Sequence, residues 1–170
     1  MRSARRRALM STSVWLLPLS LISACGFELR RAPELRFRTV QLIGFKVRSP
    51  LAEALASSIN ASQTTLVVSS AAQAEVVLEA LSDVREKSAV ASTAAGQVRE
   101  LQLRSALNFR LRTPAGKELI APTQISLKRD MSYIESAALA KEQEEALLYR
   151  AMQTDIVAQV MRRLAAVQPL

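Results

Sequence analysis

The chain of 170 residues has no histidine, a single cysteine, four glycines and few aromatic residues. Without histidine or paired thiols, the common catalytic triads and most transition-metal sites cannot be built. The lone Cys25 cannot form an internal disulfide, and the scarcity of glycine and aromatic residues disfavours phosphate-binding loops and base-stacking surfaces. No pair of carboxylates stands out by its spacing as an acid and a base. We therefore expect no enzyme activity and no cofactor.

The size and apolar content of the chain predict one globular domain, because 49% of the residues are hydrophobic. The formal charge is +8, but four of the 23 basic residues and none of the 15 acidic ones precede Cys25. Beyond that cysteine the charge is only +4, which is typical of a solvated surface and permits attraction to anions.

The first 24 residues have the pattern of an export signal. Residues 1–7 are basic, residues 8–22 form an apolar run that is shorter than the roughly 20 residues of a membrane-spanning helix, and Ser23 and Ala24 are small. Ile22, Ser23, Ala24 and Cys25 match a bacterial lipobox. We predict a cleaved lipoprotein signal peptide over 1–24 and a single domain over 25–170; a plain secretory signal is the alternative.

Cys25 is then the predicted lipid attachment site, carrying diacylglycerol on its sulfur and an acyl chain on its freed amine. Each buried methylene adds about 0.8 kcal/mol, so such chains hold a protein firmly at a membrane. Gly26 replaces the aspartate that commonly retains lipoproteins in the inner membrane of enteric bacteria. The predicted location is the periplasmic side of the outer membrane.

The first half of the remaining chain reads as strand, helix and strand. Residues 39–45 and 64–70 are short apolar or β-branched segments, and between them Ser49 and Pro50 mark the start of a helix ending near Asn60. A short helix between two strands predicts a parallel βαβ unit.

Three longer segments, 74–86, 99–112 and 123–133, predict an antiparallel meander with turns near 94–97 and 114–117. Segment 99–112 alternates strictly, so one face packs on a core and the other meets water or a partner. Pro122 predicts a bulge or the start of the last strand.

A long amphipathic helix is predicted from Ala137 to about Val167. Its apolar stripe is a core face, and its other side is predicted to face water. The stripe comprises Tyr149, Met152, Ile156, Val160, Leu164 and Val167, and the other side carries Glu142, Glu145, Arg150, Gln153, Gln159 and Arg163. The elements together predict an α/β (α+β) sandwich with two helices packed on one face of a mixed, mainly antiparallel sheet of four to five strands.

Basic residues on the predicted strands are the candidate ligand-binding groups, because the arginine fork suits phosphate. They could equally be a charged face that keeps the sheet soluble. Export disfavours nucleic acid as their partner. The candidates are Arg104, Arg110 and Arg112 on one face, Arg99 on the opposite parity, and Lys128 and Arg129 on the neighbouring strand.

The sequence CGFELR, which supplies Cys25, Gly26, Phe27, Leu29 and Arg30, resembles the start of the LptE family of lipopolysaccharide-assembly lipoproteins. The resemblance extends through SPLAEAL, AAGQVRELQL and the final amphipathic helix, and so covers essentially the whole chain.

The resemblance implies a sandwich that sits as a plug inside the outer-membrane β-barrel LptD, assists assembly of that barrel and takes part in delivering lipopolysaccharide to the cell surface. It also implies lipopolysaccharide binding by basic residues on the strands and the turn between them. Lys128 and Arg129 match this pattern, whereas the turn over 91–97 has no basic residue. Two alternatives remain: a free-standing, lipid-anchored envelope module that binds an anionic ligand, and an envelope hydrolase that uses carboxylates.

Overall fold

A computed structural model describes residues 33–168, so the predicted signal peptide and Cys25 lie outside the described residues. Within this range the chain forms five strands and two α-helices, in agreement with the predicted fold class. The elements are β1 Thr39–Ile43, α1 Pro50–Asn60, β2 Leu66–Val68, β3 Val76–Ser92, β4 Val98–Arg112, β5 Glu118–Ser132 and α2 Ala138–Ala165.

The strands form one mixed sheet in the order β2-β1-β3-β4-β5. β1 is parallel to both of its neighbours, whereas β3, β4 and β5 form an antiparallel meander. The parallel βαβ start and the meander are both confirmed. The meander strands are longer than predicted, because the pairing continues past the last residue that reaches the core.

The start of α1 follows from its first two residues. Ser49 is extended and its Oγ accepts a hydrogen bond from the amide of Ala52 at 3.3 Å, while Pro50 occupies the first helical turn. Leu51, Leu55 and Ile59 then recur every four residues and are all buried. The helix therefore covers the sheet with a single apolar stripe.

The second helix buries the predicted stripe against the same sheet face, with Met152, Ile156 and Val160 fully inaccessible. The prediction that its other side faces water holds for Glu142 and Arg150, whereas the remaining four residues are half-buried: Glu145, Gln153, Gln159 and Arg163. Glu145 accepts a hydrogen bond from Lys87 at 2.9 Å, and Gln153 donates to the carbonyl of Pro50 at 3.0 Å. The helix lies across the sheet, so its flanks reach β3 and α1.

Pro122 lies inside β5, the outer strand of the sheet, at an irregularity in the ladder. Phe109 pairs with Thr123, whereas Leu111 pairs with Ile120, so the register shifts around the proline. The predicted bulge is confirmed. Since proline has no amide hydrogen, a bulge on an outer strand is one of the few sheet positions that accept it.

Gly44, just after β1, provides a test of the close approach between β1 and β3. It has φ +80°, and a Cβ there would overlap the carbonyl oxygen of Ala80. Gly44→Ala therefore incurs the left-handed backbone cost of about 1–2 kcal/mol and an overpacking cost of about 1–3 kcal/mol. We expect Gly44→Ala to lower the free energy of unfolding by the sum of these two costs, as measured by urea denaturation.

Gly96 is the matched control, because it has φ +76° but an added Cβ would meet nothing within 4 Å. Gly96→Ala should show only the backbone cost. Equal losses in the two variants would contradict the close approach at Gly44.

Candidate functional site

The sheet has one face covered by the helices and one that the helices leave uncovered, which we call the open face. Its side chains are those of the even-numbered residues of β4, which point away from the core, and of their cross-strand partners on β3 and β5. Its charged members are Glu79 and Glu86 on β3, Glu100, Arg104, Arg110 and Arg112 on β4, and Glu118, Lys128 and Asp130 on β5.

At one end of the open face, two arginines converge on a single carboxylate. Arg110 lies opposite Glu79 in the ladder and donates to its Oε2 through Nε at 3.0 Å and through a terminal nitrogen at 2.8 Å. Arg112 donates to the same oxygen at 3.3 Å. The hydrogen bond from Arg110, reinforced by Arg112 and opposed by partial burial, lowers the pKa of Glu79 below its ordinary 4.5. Glu118 lies opposite Arg112 in the β4–β5 ladder, so carboxylates and guanidinium groups are equal in number at this end.

Further along the open face, Arg104 bonds to both neighbouring strands. It donates to Glu86 on β3 at 2.9 Å and to Ser126 on β5 at 3.3 Å. Lys128 lies directly opposite Arg104 in the β4–β5 ladder. Within residues 33–168 no carboxylate lies within ion-pair distance of Lys128, so its ammonium group is available to an outside anion.

The structure brings four of the six predicted basic residues together and separates the other two. Arg104, Arg110, Arg112 and Lys128 share the open face, as the parity of the strands predicts. Arg129 points to the helix side and pairs with Asp155 of α2 at 3.5 Å. Arg99 also has helix-side parity and is exposed near Tyr133, beside the start of α2. Neither belongs to the open-face cluster.

The helix side of β3 uses its charges to hold α2. The Arg85 guanidinium lies 5.3 Å from the centre of the Tyr149 ring, and the Tyr149 hydroxyl donates to the carbonyl of Glu86 at 2.8 Å. The hydrogen bond to Glu145 raises the pKa of Lys87, while burial raises the pKa of Tyr149. These groups are structural contacts between the sheet and the helix.

The acidic partners Glu79 and Glu86 were missed by the sequence reasoning. Folding the hairpin symmetrically about the predicted turn at 94–97 would place Glu86 opposite Ser105, one residue away from its observed partner Arg104. The Glu79–Arg110 pairing cannot be obtained by counting, because the ladder shifts between Ala80 and Ser82.

The described part of the chain, 33–168, contains no cluster of three or more potential metal-ligating His, Cys, Asp or Glu residues. In the same range no helix has the length and apolarity needed to cross a membrane.

Comparison with known proteins identifies the family. The model of the family described as "LptE: Lipopolysaccharide-assembly" matches residues 37–164, which include all of the strands and nearly all of α2. The chain belongs to the LptE family. The resemblance stated from the sequence is thus confirmed, and the family is one of lipopolysaccharide assembly.

Solved structures agree with this assignment. The chain is similar to an uncharacterized lipoprotein B from Nitrosomonas europaea, with 31% identity, a TM-score of 0.68, and coverage of 83% of this chain and 91% of that one. Rare lipoprotein B from Shewanella oneidensis has the same fold at 24% identity and a TM-score of 0.63, over 76% and 95% of the two chains. A search of curated protein sequences found no match.

The Glu79 cluster makes stability depend on pH in a defined direction. Since the pKa of Glu79 is lower in the folded chain, the unfolded chain takes up the proton first on acidification. The contribution of the ionised Glu79 to the free energy of unfolding is present above about pH 4.5 and is lost as the pH falls through the lowered pKa. We expect Glu79→Gln to be less stable than wild type at neutral pH, with the difference shrinking in acid, as measured by urea unfolding across pH.

Glu100→Gln is the control, because it removes a carboxylate of the same face that makes no ion pair within the described range. It should not reproduce this pH dependence. A Glu79→Gln difference that is constant from neutral pH to pH 3 would contradict the ion-pair assignment.

Proposed function

We propose that this LptE-family protein is a non-enzymatic outer-membrane lipoprotein, anchored through Cys25 on the periplasmic side, that forms a complex with the β-barrel LptD. In that complex it acts as a plug, assists assembly of the barrel and takes part in the delivery of lipopolysaccharide to the cell surface. The family assignment supports the assembly role, and the geometry of the open face supports the plug.

The observation that carries the plug is the balanced charge of the open face. The lumen of a transmembrane barrel is polar, so a body filling it needs a rigid surface with little unpaired charge. Arg110 and Arg112 share Glu79, and Arg104 is paired with Glu86. These contacts hold long side chains in place across strands of 15 residues or more. Such a face can match the polar wall of a lumen.

The anchor is consistent with this placement. Eight residue steps separate Cys25 from Pro33, the first described residue. A fully extended segment of that length spans about 28 Å at most. The acyl chains would therefore keep the domain within a few nanometres of the membrane that contains the barrel.

Lipopolysaccharide is the proposed ligand of the basic residues on the open face. Its lipid A phosphates can accept charge-assisted hydrogen bonds from guanidinium and ammonium groups. Lys128 is the most available donor, and Arg104 lies opposite it in the β4–β5 ladder. Arg99 and Arg129 lie on the helix side, so they would have to contact lipopolysaccharide separately.

The alternative is a free-standing module that binds an anionic ligand without the barrel. It predicts a cluster of cations open to solvent. Three of the four open-face cations already have carboxylate partners, which weakens this alternative relative to the plug. Isolation of the protein without a barrel partner would favour this free-standing module.

Copurification tests the complex and the anchor together. Tagged protein extracted from outer membranes in detergent should copurify with a large β-barrel protein. Mass spectrometry of the N-terminal peptide should show Cys25 with three acyl chains. The recovery of acylated protein without a barrel would favour the free-standing module, and an unmodified Cys25 would exclude the anchor.

A double substitution tests the ligand role of the open face. Arg110→Ala with Lys128→Ala removes two cations from this face without touching the core. We expect lipopolysaccharide binding to weaken at least tenfold, because the loss of even one hydrogen bond to a charged group costs about 1.5–3 kcal/mol. Competition with labelled lipopolysaccharide gives the affinity, and circular dichroism checks the fold.

The matched control is Arg99→Ala with Arg129→Ala, which removes the same charge from the helix side. Its affinity should stay within about twofold of wild type, since a distant screened charge contributes little. An equal loss in both double variants would mean that net charge alone attracts lipopolysaccharide.

A further inference from the structure

One end of the fold collects basic side chains without acidic partners. We call it the basic end and define it by Arg36, Arg38, Lys117, Arg162 and Arg163. None of these five takes part in an ion pair within residues 33–168. The first four are exposed, and one terminal nitrogen of Arg163 is inaccessible and has no hydrogen-bond partner in the described range.

The sheet topology brings the first three of these residues together. β1 begins beside β2 and β3, with Val40 paired to Val76, so Arg36 and Arg38 precede β1 at that end. Val77 pairs with Arg112, which places the following turn and its Lys117 at the same end.

The helices place the remaining two residues there. Leu119 and Ile120 at the start of β5 line one pocket together with Arg163 and Val167, so α2 ends at the end of the sheet where β5 begins. α1 ends at Asn60, whose side chain accepts a hydrogen bond from the amide of Val67 in β2. Arg162 and Arg163, one turn from the end of α2, therefore also belong to this end.

The acidic residues at this end do not balance the basic ones. Glu34, Glu75 and Glu118 are the acidic side chains nearby, and Glu75 accepts a hydrogen bond from the backbone amide of Arg38 at 2.7 Å. Immediately before the described range the sequence adds Arg30 and Arg31 against one acidic residue, Glu28, so this segment is also net positive.

We propose that the basic end is a docking surface for the anionic phospholipid headgroups of the membrane that holds the lipid anchor. This inference rests on the proposed acylation of Cys25, which would hold the basic end at high local concentration near that surface. Each Lys or Arg close to an anionic surface shifts the contact equilibrium by roughly fivefold. Before the domain enters the barrel, it would then stand on the membrane in one orientation, with the β3–β4 turn pointing away.

Two matched turns allow this orientation to be measured. The β4–β5 turn at the basic end contains Ala115 before Gly116, and the β3–β4 turn contains Ala95 before Gly96. Both alanines are exposed, and both glycines have positive φ. An acylated Cys25 has no free thiol, so Ala115→Cys or Ala95→Cys would provide the only site for a fluorescent label.

The experiment uses the purified lipoprotein added to vesicles that carry an energy acceptor on their headgroups. Vesicles of phosphatidylcholine alone are compared with vesicles that also contain phosphatidylglycerol. We expect transfer from the label at residue 115 to be roughly twofold higher with phosphatidylglycerol and to lose that increase in 1 M salt. The label at residue 95 should show no such increase.

A triple substitution checks that the basic end causes the contact. Arg36→Gln, Arg38→Gln and Arg162→Gln together should abolish the increase at residue 115. Lys46→Gln, Arg48→Gln and Arg150→Gln remove the same charge from exposed positions away from the basic end and should preserve it. Thermal unfolding should show that both variants remain folded.

The outcomes separate this inference from the proposed function. If the unsubstituted protein takes up the label and does not bind vesicles, Cys25 is not acylated and the anchor itself is wrong. If the protein is anchored and the residue 115 signal is the same on both kinds of vesicle, the basic end does not dock on phospholipid.

Discussion

The strict alternation of β4 is the constraint on which the rest of the molecule depends. Successive side chains of a strand point to opposite faces, so burying Leu103, Leu107, Phe109 and Leu111 under the helices forces Arg104, Arg110 and Arg112 onto the other side. A shift of one residue would exchange the two sets and bury the arginines. The hydrophobic core and the charged open face thus have the same cause.

Charge is arranged differently on the three surfaces of the domain. On the open face, three of the four cations are paired within the sheet, and Lys128 has no ion-pair partner in the described range; on the helix side of β3 and β5, cations hold α2; at the basic end they have no ion-pair partner in the described range. A formal charge alone would not distinguish these roles.

Much of this arrangement follows from the sequence, because it depends on local signals. The cap at Ser49, the alternation of β4 and the stripe of α2 each specify an element and its buried face, and all three predictions are confirmed. The pairing of Glu79 with Arg110 does not follow, since a bulge in β3 shifts the register by one residue. The role of Glu145 was also missed, because it depends on how α2 crosses the sheet. The role of Cys25 lies outside the described residues and stays a prediction.

The bulge at Pro122 has a consequence for the protein before it meets any partner. β5 is an outer strand of 15 residues, and such an edge presents free amide and carbonyl groups that could template a strand from another copy. A proline without an amide hydrogen, in a segment whose register is broken, interrupts that template, and Lys128 and Arg129 add repulsion between copies. This edge is therefore a poor template for a strand from a second copy, although its whole length is unpaired.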